Sequence, residues 1–120
     1  MEIKEWIGQA RKLFIQKEYL QIILPIEDRI IEINYLNEKV FIKLSKKAPY
    51  IESMEKSIPE LRINFTPEGW YSVIEGNHRL GFLLKFNDAT FEGNYRLLLL
   101  LETIFQYTSV EYEKKVLENC

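Results

Sequence analysis

The sequence predicts an α+β fold, an antiparallel β-sheet of about five or six strands flanked by N-terminal and C-terminal helices, and three observations carry that prediction. Apolar residues recur at spacings of three and four at both ends of the chain, they alternate at a spacing of two through the middle, and turn-forming residues cut the middle into short segments. The chain has 120 residues, 47% of them hydrophobic and 28% charged, which suits one core, so a single domain over residues 1–120 is expected.

Residues 3–17, IKEWIGQARKLFIQK, place Ile3, Trp6, Ile7, Ala10, Leu13 and Phe14 on one stripe of an amphipathic helix. Gly8 weakens such a helix by up to about 1 kcal/mol. The period then changes to two. Leu20 to Leu24 is a short apolar run stopped by Pro25, Arg29 to Tyr35 sets Ile31, Ile33 and Tyr35 on one face, and Val40, Ile42 and Leu44 alternate with Lys39 and Lys43. Asn37-Glu38 is the expected turn between the last two strands.

The polar stretch SKKAPYIESMEKSIP, residues 45–59, predicts a loop with a short helix near Tyr50 to Lys56. Leu61, Ile63 and Phe65 restore the alternation, and Thr66-Pro-Glu-Gly69 has the composition of a type I turn. Trp70 to Glu75 and His78 to Phe86 read as the next strands, ended by Asn87-Asp88. From Asn94, a suitable cap, to Glu118 the pattern is helical, with Leu97, Leu101, Ile104, Phe105 and Val116 inward. Thr108-Ser-Val-Glu111 has the form of a capping box and marks a place where that helix can break in two.

The chain's single histidine lies in SVIEGNHRLG, residues 72–81, which supports two readings. In the first, Gly76-Asn77 is a type II′ hairpin turn that sets Glu75 opposite His78, Val73 opposite Leu80 and Tyr71 opposite Phe82. Tyr71 and Phe82 then belong to the core, while Trp70, Ile74 and Leu83 share the other sheet face, with Gly81 diagonal to Trp70 and Ile74. In the second, the glycine lets the backbone approach an anion. A near-copy, EGNYRLLLLL at 92–101 against EGNHRLGFLL at 75–84, occurs only twice and is read as a coincidence of composition.

Composition excludes several functions. Sixteen basic and eighteen acidic residues give a net charge of -2 with no separation between halves, so no nucleic-acid partner is expected. The longest aliphatic run, Leu97 to Leu101, is too short to span a membrane, and the N-terminus lacks the apolar core of a signal peptide. The one cysteine, Cys120, forms no internal disulfide, and a cytoplasmic location is expected. One histidine and one terminal cysteine leave no Cys-His catalysis and no His-Cys zinc site, so neither a catalytic residue nor a metal or other cofactor is predicted. Glu27-Asp28, Glu52, Glu55, Glu92 and Glu102 show no spacing that singles out a carboxylate, and solvated faces account for them.

Two family resemblances follow from these elements. The order helix, three strands, short helix, two or three strands and helix resembles the type III secretion chaperone-like fold over nearly the whole chain, and roadblock-like domains share a similar order. That resemblance implies a small non-enzymatic protein-binding module of chaperone-like, adaptor or immunity type, whose partner is another protein or a second copy of itself. The apolar residues placed in contact with that partner are Trp70, Ile74 and Leu83, with Trp6 in addition. Locally, Glu75-Gly-Asn-His-Arg79 resembles the D/E-G-x-H-R loop of the ParB/sulfiredoxin-like superfamily over residues 59–87. That alternative implies a phosphate or nucleotide site made by Glu75, Gly76, Asn77, His78 and Arg79.

Overall fold

The N-terminal stripe forms helix α1, Ile3–Gln16, which buries the same six apolar residues: Ile3, Trp6, Ile7, Ala10, Leu13 and Phe14. At about 1.5–3 kcal/mol for each large side chain, that burial far outweighs the cost of Gly8. The computed structural model describes the backbone of residues 1–118 and the side chains of residues 1–109. After α1 the chain makes a 3-10 helix, Glu18–Ile23, where the sequence predicts a strand over Leu20 to Leu24. The Gln21 side-chain amide donates to the Phe14 carbonyl at 2.9 Å and folds this turn back on α1, so Leu20 is buried and Ile22 is exposed.

Among the described residues the sheet has five strands in the order β3-β2-β1-β4-β5. They are β1, Arg29–Tyr35, β2, Glu38–Leu44, β3, Ile51–Met54, β4, Leu61–Phe65, and β5, Ala89–Gly93. All neighbours are antiparallel except β1 and β4, where Ile31 and Ile33 run parallel to Leu61 and Ile63. The β1–β2 turn is Leu36-Asn37, one residue earlier than predicted, with Leu36 at φ 54. Where a short helix is expected near Tyr50 to Lys56, β3 pairs Ile51 with Leu44 and Glu52 with Lys43 instead. The ion pair Lys43 Nζ to Glu52 at 2.9 Å joins the last two, and its hydrogen bond raises the lysine pKa.

Residues 66–88 depart most from the sequence reading. They form helix α2, Pro67–Glu75, and the short helix α3, Leu80–Lys85, and no hairpin. Thr66 caps α2 by accepting from the Gly69 N–H at 3.0 Å, Pro67 sits in its first turn, and Gly76 ends it in the left-handed region at φ 77. Gly69 is required because a Cβ there would collide with the Asp88 carbonyl. The buried positions of α2 are Gly69, Trp70, Val73 and Ile74, at helical spacing. Tyr71 and Phe82, predicted as core, therefore point outward at 60% and 43% exposure, and the second apolar sheet face predicted from Trp70, Ile74 and Leu83 does not exist. The sheet continues past Asn87-Asp88 into β5.

Helix α4, Tyr95–Glu118, is continuous through residue 108. The hydroxyls of Thr108 and Ser109 turn back to the carbonyls of residues one turn earlier, Ile104 and Phe105 at 3.1 and 3.0 Å and Gln106 at 2.9 Å, so they do not cap a new helix. Asn94 caps α4 as predicted, accepting from Leu97 N–H at 3.1 Å, and Leu97, Leu101, Ile104 and Phe105 are buried. Val116 and Glu111 lie outside the residues whose side chains are described.

The helices cover one face of the sheet, meeting Ile31, Ile33, Ile42, Leu61, Ile63 and Phe65. An aromatic cluster fills the centre of this layer. Trp6 stacks on Phe105 with centroids 4.5 Å apart, Tyr35 stacks on Trp70 at 5.4 Å, and Phe65 meets Trp70 and Phe105 edge-on at 5.4 and 5.9 Å. Both indole N–H groups are satisfied, Trp6 by Thr108 Oγ1 at 3.0 Å and Trp70 by the Met1 carbonyl at 2.7 Å.

Candidate functional site

A groove of about 420 Å³ opens between α2 and α3 on one side and α4 on the other. Its apolar residues are Val73, Leu80 and Phe105, and its polar ones include His78, Arg79, Glu102, Thr103 and Gln106. The volume lies within the roughly 300–1,000 Å³ of ordinary small-molecule sites. Phe105 belongs to the aromatic cluster as well, so the groove ends against the packed rings of the core. Glu102 holds the two walls together by accepting the Gly81 N–H at 2.7 Å.

The EGNHR residues are divided by this groove. Gly76, His78 and Arg79 line it, whereas Glu75 and Asn77 do not. The loop follows a helix, where the superfamily pattern needs a strand, and no side chain caps α3. In the near-copy, Gly93 at φ 120 ends β5 and Asn94 does cap the following helix. The Ser72 hydroxyl and His78 Nδ1 are 2.7 Å apart. Among the described residues no carboxylate orients that imidazole, whose ring stacks on Phe82 with centroids 4.2 Å apart, so the third member of a nucleophilic constellation is missing.

The predicted contact residues are interior. Trp6, Trp70 and Leu83 are each 1% exposed and Ile74 is 8% exposed. Trp6 and Trp70 meet Phe105, with centroids 4.5 and 5.9 Å away, and so stand one ring behind the groove. Sequence reasoning missed Leu80, Thr103 and Gln106 as site residues. The signal for Leu80 was present in Leu80 and Leu83 at a helical spacing of three, but the alternation of Leu80, Phe82, Leu84 and Phe86 masked it.

The uncovered sheet face carries a polar network. Glu32, 2% exposed, accepts from Arg62 Nε at 2.6 Å and from Asn34 Nδ2 at 2.8 Å. Burial, the largest single influence, pushes the Glu32 carboxyl up, but the hydrogen bonds from Asn34 and Arg62 and the charges of Arg62 and Lys39 together hold it below the usual carboxylate range. Among the described residues, no group of three His, Cys, Asp or Glu side chains is placed to hold a metal ion, and no helix is long and apolar enough to cross a membrane.

No protein-family profile matches the chain, and no curated protein matches it. Solved structures do. Sterol carrier protein 2 from Yarrowia lipolytica, in its apo form, is similar with a TM-score of 0.61 at 16% identity, covering 89% of this chain and 89% of that one. Palmitated SCP2L2 from Aedes aegypti gives 0.62 at 11% identity over 88% of this chain and 95% of that one. The sterol carrier protein domain 2 of Helicoverpa armigera gives 0.61 at 12% identity over 88% and 86%. These likenesses establish a sterol carrier protein 2 type of fold. They correct both family resemblances drawn from the sequence, the type III secretion chaperone-like fold and the ParB/sulfiredoxin-like loop. The element order misled because residues 66–88 are helical and one strand pair is parallel.

Proposed function

We propose that this protein is a non-catalytic carrier of an apolar, lipid-like ligand, held in the groove between α2, α3 and α4. The observation that carries the reading is the groove of about 420 Å³, lined by Val73, Leu80 and Phe105 and ending at the aromatic cluster. Its support from outside is the fold shared with a sterol carrier protein and with a palmitated relative. Val73, Leu80 and Phe105 are 3%, 1% and 1% exposed, so an acyl chain buries against them only as α2 and α3 part from α4, and Thr103 and Gln106 bound the opening. In this reading Trp6 and Trp70 act from the interior, as the wall behind Phe105.

The test is a titration with palmitate and with a sterol, read by the emission of Trp6 and Trp70, together with native mass spectrometry of the purified protein. One ligand per chain is expected, and Thr103→Trp, which fills the opening from a half-buried position, is expected to weaken binding at least tenfold with an unchanged urea midpoint. A purified protein that carries no lipid and binds neither probe refutes the reading.

A second reading keeps the protein partner predicted from the sequence. It rests on Phe91 of the edge strand β5 and on Tyr95 and Leu99 of α4, which are 39%, 62% and 45% exposed, with the Phe91 and Tyr95 rings 6.4 Å apart. Here the partner is a second copy. Sedimentation tests it: a dimer that Leu99→Asp dissociates supports it, and a monomer at all concentrations removes it.

A further inference from the structure

We propose that the free edge of β5 pairs antiparallel with β5 of a second copy of this chain, with Phe91 on the two-fold axis. The proposal deepens the second-copy reading and rests on it; it does not need the carrier reading.

The hydrogen-bond phase of β5 fixes which backbone groups are free. The β4–β5 register continues past both ends of the strand, where the Thr66 N–H donates to the Asp88 carbonyl at 3.0 Å and the Asn94 N–H to the Glu60 carbonyl at 2.9 Å. Bonded and non-bonded pairs alternate along an antiparallel ladder, so Arg62 with Glu92 and Asn64 with Thr90 exchange the bonds. The N–H and C=O groups of Ala89, Phe91 and Gly93 therefore point away from β4, at the rim of the sheet. Residues 90–93 are exposed, and among the described residues no other backbone group bonds to that rim. The opposite edge is closed. There the Ile51 N–H turns to the Pro49 carbonyl at 2.8 Å, and the Ile51 carbonyl accepts from Arg11 Nε of α1 at 3.1 Å.

Charge selects the occupant and its register. A pair centred on Phe91 sets Thr90 opposite Glu92, Ala89 opposite Gly93 and Asp88 opposite Asn94 of the second copy, so no like charges meet. Centring it on Thr90 sets Glu92 opposite Asp88, and centring it on Glu92 sets that carboxylate opposite its own copy, so both neighbouring registers are repelled. On the helix side the two Phe91 rings meet at the axis, each 6.4 Å from Tyr95 of its own chain. On the other face Glu92 already lies 3.5 Å from Arg62. The flanking charges are of both signs, Lys85 and Asp88 ahead of β5 and Arg96 beyond it. An edge that complements itself closes on one partner, and with β3 covered the assembly stops at a dimer.

The experiment is sedimentation of the full chain and its Thr90 and Glu92 variants, joined to amide exchange by NMR at low and high concentration. A dimer is expected. Each substitution acts twice across the axis, so Thr90→Glu, which faces Glu92 with a second carboxylate, is expected to weaken the dimer on the order of tenfold, and Thr90→Lys to tighten it several-fold. Adding Glu92→Lys to Thr90→Glu is expected to restore it. On association the amides of Ala89, Phe91 and Gly93 are expected to slow by roughly tenfold more than those of Thr90 and Glu92, which β4 already holds. A dimer that Leu99→Asp dissociates but neither Thr90 change moves, or one that slows both sets of amides alike, overturns the strand pairing and leaves the second-copy reading standing. A monomer at every concentration overturns both.

Discussion

Replacing Thr108 by valine tests how α1 is fastened to α4. The two side chains keep nearly the same shape, so the change removes a hydroxyl and little else. That hydroxyl accepts from the Trp6 indole N–H at 3.0 Å and donates to the carbonyls of Ile104 and Phe105 at 3.1 and 3.0 Å. With Trp6 1% and Thr108 6% exposed, water cannot replace it, and the indole N–H is left buried without a partner. A buried donor left unsatisfied costs about 1–3 kcal/mol, while the two carbonyls keep their helical partners, so the expected loss is about 1–3 kcal/mol. Urea denaturation followed by tryptophan emission measures it. Thr108→Ser, which retains the hydroxyl and loses a methyl, should cost at most about 1 kcal/mol. In a cycle with Trp6→Phe the two changes should couple by at least about 0.5 kcal/mol, since each removes one end of the same bond. A valine variant as stable as the native chain, or one that loses as much stability in the phenylalanine background, would falsify the claim that this bond holds the helices together.

Two further predictions concern the sheet and its connection to α2. Gly69→Ala is expected to lower stability by about 1–3 kcal/mol, because the new Cβ meets the backbone of Asp88 and not a movable side chain; an unchanged melting temperature contradicts this. Glu32→Gln is expected to cost about 1–3 kcal/mol at neutral pH through weaker bonds to Arg62 and Asn34. Since the folded carboxyl titrates below its ordinary value of 4.5, the ionised form stabilises the fold above that pH, and this contribution is lost as pH falls from there through the lowered folded value. The gap between native and variant should close over that acid window; a gap that persists or widens below it shows the sign to be wrong.

The parts of the fold that were legible are those in which one pattern had one meaning. The stripe of α1, the alternations of β1, β2 and β4, and the Asn94 cap of α4 all appear where local spacing places them. Residues 66–88 carried two patterns at once. Leu80, Phe82, Leu84 and Phe86 alternate like a strand, while Thr66-Pro67 and Gly76 punctuate a helix, and the punctuation prevails because it satisfies the backbone groups at both ends of α2. The groove was not legible for the same reason, since its walls are the helices that the alternation concealed. Burial of Trp70, Ile74 and Leu83 followed from that change, which moved them from an imagined sheet face to the underside of helices.

By itself, the sequence determined the fold class, the flanking helices and most strand faces, because burial of periodic apolar side chains is decided by neighbours three or four places away on a helix and two places away on a strand. Tertiary structure alone decided that β4 joins β1 in parallel, that α2 and α3 stand where a hairpin was read, and that a groove ends on Phe105. Each of these depends on residues far apart in the chain: Ile31 with Leu61, Gly69 with Asp88, and Gly81 with Glu102. No local spacing encodes such pairs, since their energy exists only after both partners have been brought together.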